Sequence, residues 1–413
     1  MTMNEILFLS HRMPFPPDRG DKIRSHHILR RLAGLAPIHI ATFADDERDM
    51  AEEVELAAMA RSYRLVRRVK PLIVAGVQSL LQGAPVSLPA FHSPEIARYV
   101  EDALANNRIG TIYVFSGQMG QYVPDDFKGR VIMDFVDVDS AKFEAYAESD
   151  TGPRRWINAR EARLLRAVEA RMARRATQSL LISPEEAALF RARLSPEDAV
   201  TCDVRVLRNG IDSRHFDPAV VRPEPRLLDC EGPRLIFTGQ MDYAPNVTAA
   251  LRVMDRLLPR VRDLLPKATF HVVGRNPADE LLARDGRDGV HVWGGVEDMR
   301  TWLSAADLAL VPLEIARGVQ NKVLEAMAMN LPVVLSSAAA TGIGGTDGLH
   351  YAVADSDADL VDRVAALLAH PRQGWTLGLE ARRFVVDNLS WQATLAPLAE
   401  LVGYPGGAAR HAA

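Results

Sequence analysis

The chain has 413 residues, with 49 basic and 53 acidic side chains for a formal net charge of -4. That length exceeds one ordinary core and points to about two or three domains, and 48% apolar with 25% charged residues is the balance of a folded chain rather than a disordered one. A near-neutral total excludes the basic footprint of a general nucleic-acid binder, and two cysteines, Cys202 and Cys230, make neither a disulfide framework nor a metal cluster, which fits a cytoplasmic protein.

Taken in order, the N-terminal MTMNEILFLSHRM has a short apolar run beside Glu5 and reads as a first β-strand, not as a signal peptide. Further strand-like runs, rich in Ile, Val and Leu, follow at Ile38–Phe43, Tyr63–Val69, Thr111–Ser116, Val131–Val136, Ser179–Ser183 and Val204–Leu207. Helical patterns such as 25–34 and 93–107 lie between them. The apolar stretch 71–91 is broken by Gln78, Gln82, Gly83 and Pro85 and falls short of the roughly 20 apolar residues of a membrane span. Pro218, Pro223, Pro225 and Pro233 then mark a linker. Beyond it strands are expected at Arg234–Thr238, Thr269–Val273, Val290–Trp293, Leu308–Pro312 and Pro332–Ser336, with helices at 248–262, 299–304, 321–329, 358–369 and 380–389. Such alternation predicts an α/β chain of two doubly wound parallel sheets, over 1–217 and 218–387, with a last helix over 388–405 packing back onto the first. Ligands of such sheets bind at the C-terminal ends of the strands, so function is expected in a central cleft between the halves.

The strongest motif is Gly318-Val319-Gln320-Asn321-Lys322-Val323-Leu324-Glu325-Ala326-Met327-Ala328. A loop enters a helix whose first residues are Gln320, Asn321 and Lys322, and the unpaired N–H groups and dipole of a helix N-terminus suit a phosphate. Glu325 lies one turn further on the same face, placed to accept two ribose hydroxyls. On spacing alone, a capped helix with a surface Lys–Glu pair accounts for the same residues.

An ordered set of motifs resembles the GT-B glycosyltransferases, specifically glycosyltransferase family 4, over nearly the whole chain. It runs from Pro16-Pro17-Asp18-Arg19-Gly20 through Ser179–Ser183 with Pro184-Glu185, then Val206-Leu207-Arg208-Asn209-Gly210-Ile211-Asp212 with Phe216. Phe237-Thr238-Gly239 with Pro245-Asn246, Val273-Gly274-Arg275, Val292-Trp293-Gly294-Gly295-Val296, Ala306-Asp307, Leu324-Glu325-Ala326-Met327-Ala328 and Ser390-Trp391 follow in register. The runs 12–24 and 134–140 are more specifically similar to the sugar transferases of exopolysaccharide and PEP-CTERM/exosortase loci.

The resemblance implies two Rossmann-like domains, the first for acceptor and the second for donor. It also implies retaining transfer of a sugar from a UDP- or GDP-sugar to a lipid-linked or polysaccharide acceptor, in exopolysaccharide or cell-envelope glycan synthesis, without metal or other cofactor. On this reading Glu325 holds the ribose, the backbone near Val296 the base, and Gln320, Asn321 and Lys322 the diphosphate. Gly20, Gly239 and Arg275 belong to the donor site, and Asp18, Lys22 and Arg24 to the acceptor side. Lys322, Glu325 and Asp137 are the catalytic candidates, Asp137 occupying the stretch where many relatives carry a histidine. Three departures stand out. Arg317 replaces the family's first glutamate, and Gln240 and Pro245 stand where an arginine and a lysine are frequent; Arg317, Lys322 or Arg275 would have to supply the missing charge. Two further readings stay open, a sugar-nucleotide epimerase of the same fold and a non-catalytic binding scaffold.

Asp137-Val138-Asp139 has the form of a metal-binding D-x-D, but such transferases lack a second domain, and capping of the next helix by Asp139 or Ser140 fits better. Gly342-Ile343-Gly344-Gly345 fails the dinucleotide spacing because Asp347 holds the last position. Arg154–Arg175 is a basic helix, with eight arginines against two glutamates. It reads either as a solvated face or, with 71–91, as a peripheral contact to an anionic membrane surface. His11, His26 and His27 read as caps, surface groups or residues facing the cleft. Of six lysines, Lys22 and Lys322 fall in the two proposed ligand loops.

Overall fold

A computed structural model describes residues 4–316 and 318–404. The chain forms two compact units, one from the described residues up to Asn209 together with those from Thr394, the other from Gly210 to Ala393.

In the first unit seven parallel strands, β1 (Glu5–Ser10), β2 (Ile38–Ala44), β3 (Ser62–Arg67), β4 (Ile109–Phe115), β5 (Arg130–Val136), β6 (Gln178–Leu181) and β7 (Val204–Val206), lie in the order β3-β2-β1-β4-β5-β6-β7. Every residue of β1 and β2 is buried, as unbroken apolar strands covered on both faces require. Three helices of this unit matter below: α1 (Gly20–Ala33), α2 (Leu72–Gln82) and α3 (Gly152–Arg175).

The second unit repeats the plan. Its strands β8 (Arg234–Thr238), β9 (Thr269–Val273), β10 (Val290–Gly294), β11 (Leu308–Val311), β12 (Val333–Leu335) and β13 (Ala352–Val353) are ordered β10-β9-β8-β11-β12-β13. Helix α4 (Ala244–Arg252) follows β8 and α5 (Asn321–Ala328) follows β11. Val323, Leu324, Ala326 and Met327 of α5 join the apolar core formed with Phe237, Val273 and Leu310. That packing fixes the N-terminal end of α5 against the sheet.

Each unit thus has the 3-2-1-4-5-6 order of a doubly wound fold, in which the strand order reverses beside the first strand. In the second unit the reversal falls between β8 and β11. The loops leaving those two strands lead to α4 and α5, so topology alone selects Gly239 and the start of α5 as the place for a ligand.

The twelve strands read from sequence are all present, with ends shifted by a residue or two. The thirteenth, β13, has two residues, too few for any periodicity. In place of one terminal helix over 388–405, the described chain makes short helices at Trp391–Thr394 and Leu398–Leu401; residue 405 lies outside the described residues. Leu398 and Val402 are buried, and Thr111 of β4 donates through Oγ1 to the Val402 carbonyl at 3.0 Å.

Candidate donor-binding site

The C-terminal edge of the second sheet is built by close backbone approach. Gly239, directly after β8, has φ +150°, and a Cβ on it would stand 2.9 Å from Asn246 Nδ2 and 3.3 Å from Lys322 Nζ. A Cβ on Gly274, directly after β9, would fall 1.6 Å from the Gly239 carbonyl oxygen. Both positions therefore demand glycine, for space at Gly274 and for space and conformation at Gly239.

Lys322, in the first turn of α5, comes across to this backbone. Its ammonium donates to Asn246 Oδ1 at 2.5 Å and lies 4.8 Å from the centroid of the Phe237 ring. Asn246 is itself buried and held by a 2.8 Å hydrogen bond from Nδ2 to the Gln240 carbonyl. Burial pulls the Lys322 pKa down to about 8, against the opposing influence of Glu325. Glu325 shows the converse: burial raises its pKa and the Lys322 charge lowers it. Among the described residues no carboxylate forms a salt bridge with Lys322. A half-buried cation held by an amide oxygen and a ring face is short of negative charge, and a bound anion would relieve that.

Gly20 belongs to the first unit, and the other predicted donor residues that are described lie in the second unit, after its strands or at the start of α5. Gly318 has φ +67° and accepts a 3.1 Å bond from Gln320 Nε2, so the loop turns sharply just before α5. Asn321, its first residue, is exposed. Arg275 follows β9 and is exposed, its carbonyl taking the Met241 N–H at 2.8 Å. A Cβ on Gly295 would stand 3.0 Å from Arg275 Cγ, so the stem of Arg275 runs beside the end of β10. Val296 is half-buried against the core. Arg317 lies outside the described residues.

Asn246 is the residue that sequence reading passed over. It stood inside the Pro245-Asn246 motif, but nothing local to α4 shows that a lysine 76 positions later ends on its side chain.

The first unit corrects several expectations. Lys22 is 1% exposed, with its ammonium 2.5 Å from Asp49 Oδ1 and 3.3 Å from the Phe15 carbonyl; it is a buried structural ion and leaves no charge for an acceptor. Arg24 is 0% exposed and grips Asp134 through three contacts of 3.0–3.2 Å, while Nη1 reaches Asn209 Oδ1 at 2.9 Å. Tyr113 completes that cluster by donating to Asp134 Oδ2 at 2.8 Å. Asp18 is exposed, 3.8 Å from Lys22 Nζ, and Gly20 opens α1 with free space around it.

Asp137 follows Val136, whose φ of +70° is a strained value for a β-branched residue. It lines a small cavity with Gly117, Gln118 and Asp139, and burial raises its pKa. The capping expected of Asp139 or Ser140 is not what starts that helix. Asp139 takes Lys142 Nζ at 3.2 Å, whereas Glu169 of α3 receives both the backbone N–H and the hydroxyl of Ser140. No cluster of three or more His, Cys, Asp or Glu side chains able to hold a metal occurs among the described residues. His11 is buried between the Phe91 and Phe115 rings and His26 lies edge-on to Phe15.

Two parallel sheets of this order, each with its ligand edge at a strand reversal, place the chain in the GT-B class. Comparison with known proteins agrees. Residues 232–370 match the family model described as Glycosyl transferases group 1. Over 251 residues the chain is 28% identical to MMP alpha-(1->4)-mannosyltransferase of Mycolicibacterium hassiacum, covering 59% of this chain and 56% of that protein. Over 165 residues it is 32% identical to the GDP-mannose-dependent alpha-(1-6)-phosphatidylinositol monomannoside mannosyltransferase of Mycolicibacterium smegmatis, covering 36% and 43%. The chain spans about half the length of these relatives. Among solved structures, Anabaena HepE in complex with UDP superposes with a TM-score of 0.60 at 15% identity, covering 96% of this chain and 98% of that one, which is a likeness of fold. The glycosyl transferases group 1 match thus falls within the second unit.

Proposed function

We propose that the protein is a retaining glycosyltransferase that moves a sugar from a nucleotide diphosphate sugar to a lipid-linked or polysaccharide acceptor. The observation that carries this reading is the Lys322 ammonium, half-buried at the start of α5 and set against Gly239 and Asn246 at the strand reversal. Cleavage of the donor's anomeric bond leaves two negative charges on the departing diphosphate. A fixed cation and a helix N-terminus at that point stabilise the transition state more than the ground state, and they do so without a metal. Glu325, one turn along the same helix, accepts the ribose hydroxyls, and the backbone at Val296 borders the base. Asp137, with its raised pKa, is assigned to the acceptor side.

The GDP-mannose-dependent relative and the UDP-bound structural neighbour support a GDP- or UDP-sugar as donor, with a mannosyl donor the first to try. Retention, and a place in exopolysaccharide or cell-envelope glycan synthesis on the cytoplasmic face of the membrane, rest on the family resemblance. The test is to incubate the protein with GDP-mannose and with UDP-glucose and to follow nucleotide diphosphate release. Release is expected from one of them, and Lys322→Ala should slow it about 100-fold or more, the order found when a transition-state donor is lost. Equal rates in the variant would refute the assignment.

A further inference from the structure

Helix α2 is built inside out. Its inward face carries the small or polar residues Ala75 and Ser79, both fully buried, whereas Leu72, Ile73, Val77, Leu80 and Leu81 are each more than half exposed, Ile73 and Leu81 to 83%. At 100° per residue Ile73, Val77, Leu80 and Leu81 fall on one arc of about 100°, opposite Ala75 and Ser79, with Leu72 outside it on the Ser79 side. Soluble proteins rarely leave a contiguous apolar face of this kind to water. Nor is α2 a loosely held segment. Arg160 of α3 clamps it by donating from Nη1 to Ser79 Oγ at 3.1 Å and from Nη2 to the Ser79 carbonyl at 3.0 Å. Gly83 ends it in the left-handed conformation.

Arg160 also ties α3 to α2. One turn before it on α3 stand Trp156 and Ile157, 63% and 52% exposed, next to Arg154 and Arg155. These two arginines and Arg163 are exposed, with no ion-pair partner among the described residues. Of the later arginines of α3, Arg166 is bonded to the Arg193 carbonyl, Arg174 to Asp198 and Arg175 to Asp125, and Arg171 is exposed. Of the exposed arginines of α3 with neither an ion pair nor a hydrogen bond among the described residues, Arg154, Arg155 and Arg163 thus fall in its first half, the half that Arg160 ties to α2, and Arg171 in its second.

We infer that α2 and the first turns of α3 form a docking surface for an anionic lipid membrane, with α2 lying in the interface plane. Apolar side chains on one face, an exposed tryptophan and unpaired arginines at the edge are the elements by which an in-plane helix holds to anionic lipid. At 11 residues α2 is too short to cross, and no helix among the described residues is long and apolar enough to do so. This surface goes beyond the proposed sugar transfer, and its test reads no catalysis.

The experiment is flotation of the full chain with vesicles of phosphatidylcholine alone or mixed with phosphatidylglycerol, at low and at physiological salt. The wild type should float with the mixed vesicles at least tenfold more than with the neutral ones, and less as salt rises. Ile73→Asp with Leu81→Asp should abolish flotation at either salt, and Arg154→Glu with Arg155→Glu should remove its salt-sensitive part. Because all four positions are exposed, circular dichroism should be unchanged. In the unmodified chain, brominated lipid should quench tryptophan fluorescence, and Trp156→Phe should remove that quenching. Absence of flotation with mixed vesicles at low salt would overturn the inference, as would flotation indifferent to the α2 substitutions. So would a wild-type dimer, seen by light scattering, that ignores vesicles and falls to a monomer with the α2 variant, since a second copy would then be the occupant.

Discussion

At the scale of single residues, Lys322 and Asn246 act as a pair. The lysine is kept half out of water, with its pKa at about 8, and the amide oxygen aims it at the Gly239 backbone. A lysine whose pKa is lowered is charged below that value and neutral above it. The charge that the proposed function gives to donor binding is therefore present at pH 7 and lost as pH rises through about 8. The expected profile of kcat/KM for the donor falls on the alkaline side with an apparent pKa near 8, since kcat/KM reports the free enzyme. Lys322→Arg, which cannot deprotonate in this range, should lack that limb even where its rate is lower. Gly239→Ala tests the same geometry by space. Its Cβ would press on both members of the pair, so donor KM should rise about tenfold or more while helix content stays unchanged.

Among the elements, the start of α5 and the buried cluster on β5 show what local sequence carries and what it does not. Asp134 of β5 accepts from Arg24 of α1, from Tyr113 of β4 and from the Val136 N–H, so it fastens three elements inside the first unit. Asp134→Ala would strand a fully buried guanidinium and should cost about 3–5 kcal/mol, measured as a fall in the urea midpoint with an unchanged slope. None of this was legible from the residues in isolation. An aspartate between apolar strand neighbours shows no role until its partner, 110 positions away, is known. Lys22 misled in the same way, because Asp49 neutralises it from 27 residues off. By contrast, α5 was legible. Its glycine turn, its Gln-Asn-Lys opening and its Val-Leu-Ala-Met core face all lie within eleven residues and need no distant partner to be understood. Strands were legible for a related reason, since burial on both faces leaves unbroken Ile, Val and Leu runs. Helix α2 was legible in part, as an apolar stretch too broken to cross a membrane and open to a peripheral contact, but which of its side chains face water is settled only by the burial of Ala75 and Ser79.

On the scale of the molecule, the two units share a strand order and differ in how they treat charge at the reversal. In the first, Lys22 and Arg24 of α1 are both consumed by internal carboxylates. In the second, Lys322 is left with an amide and an aromatic ring, and the backbone around it is opened by Gly239 and Gly274. Duplicated architecture with one paired and one under-compensated edge is the reason the proposed function assigns the nucleotide diphosphate to the second unit. Isothermal titration of GDP and of UDP, without any sugar acceptor, into the wild type and into Lys322→Ala tests that claim most directly. One of the two nucleotides should bind the wild type with a defined stoichiometry of one, and the variant should bind it at least tenfold more weakly. Equal affinity in the two proteins would contradict the account, as would failure of the wild type to bind either nucleotide.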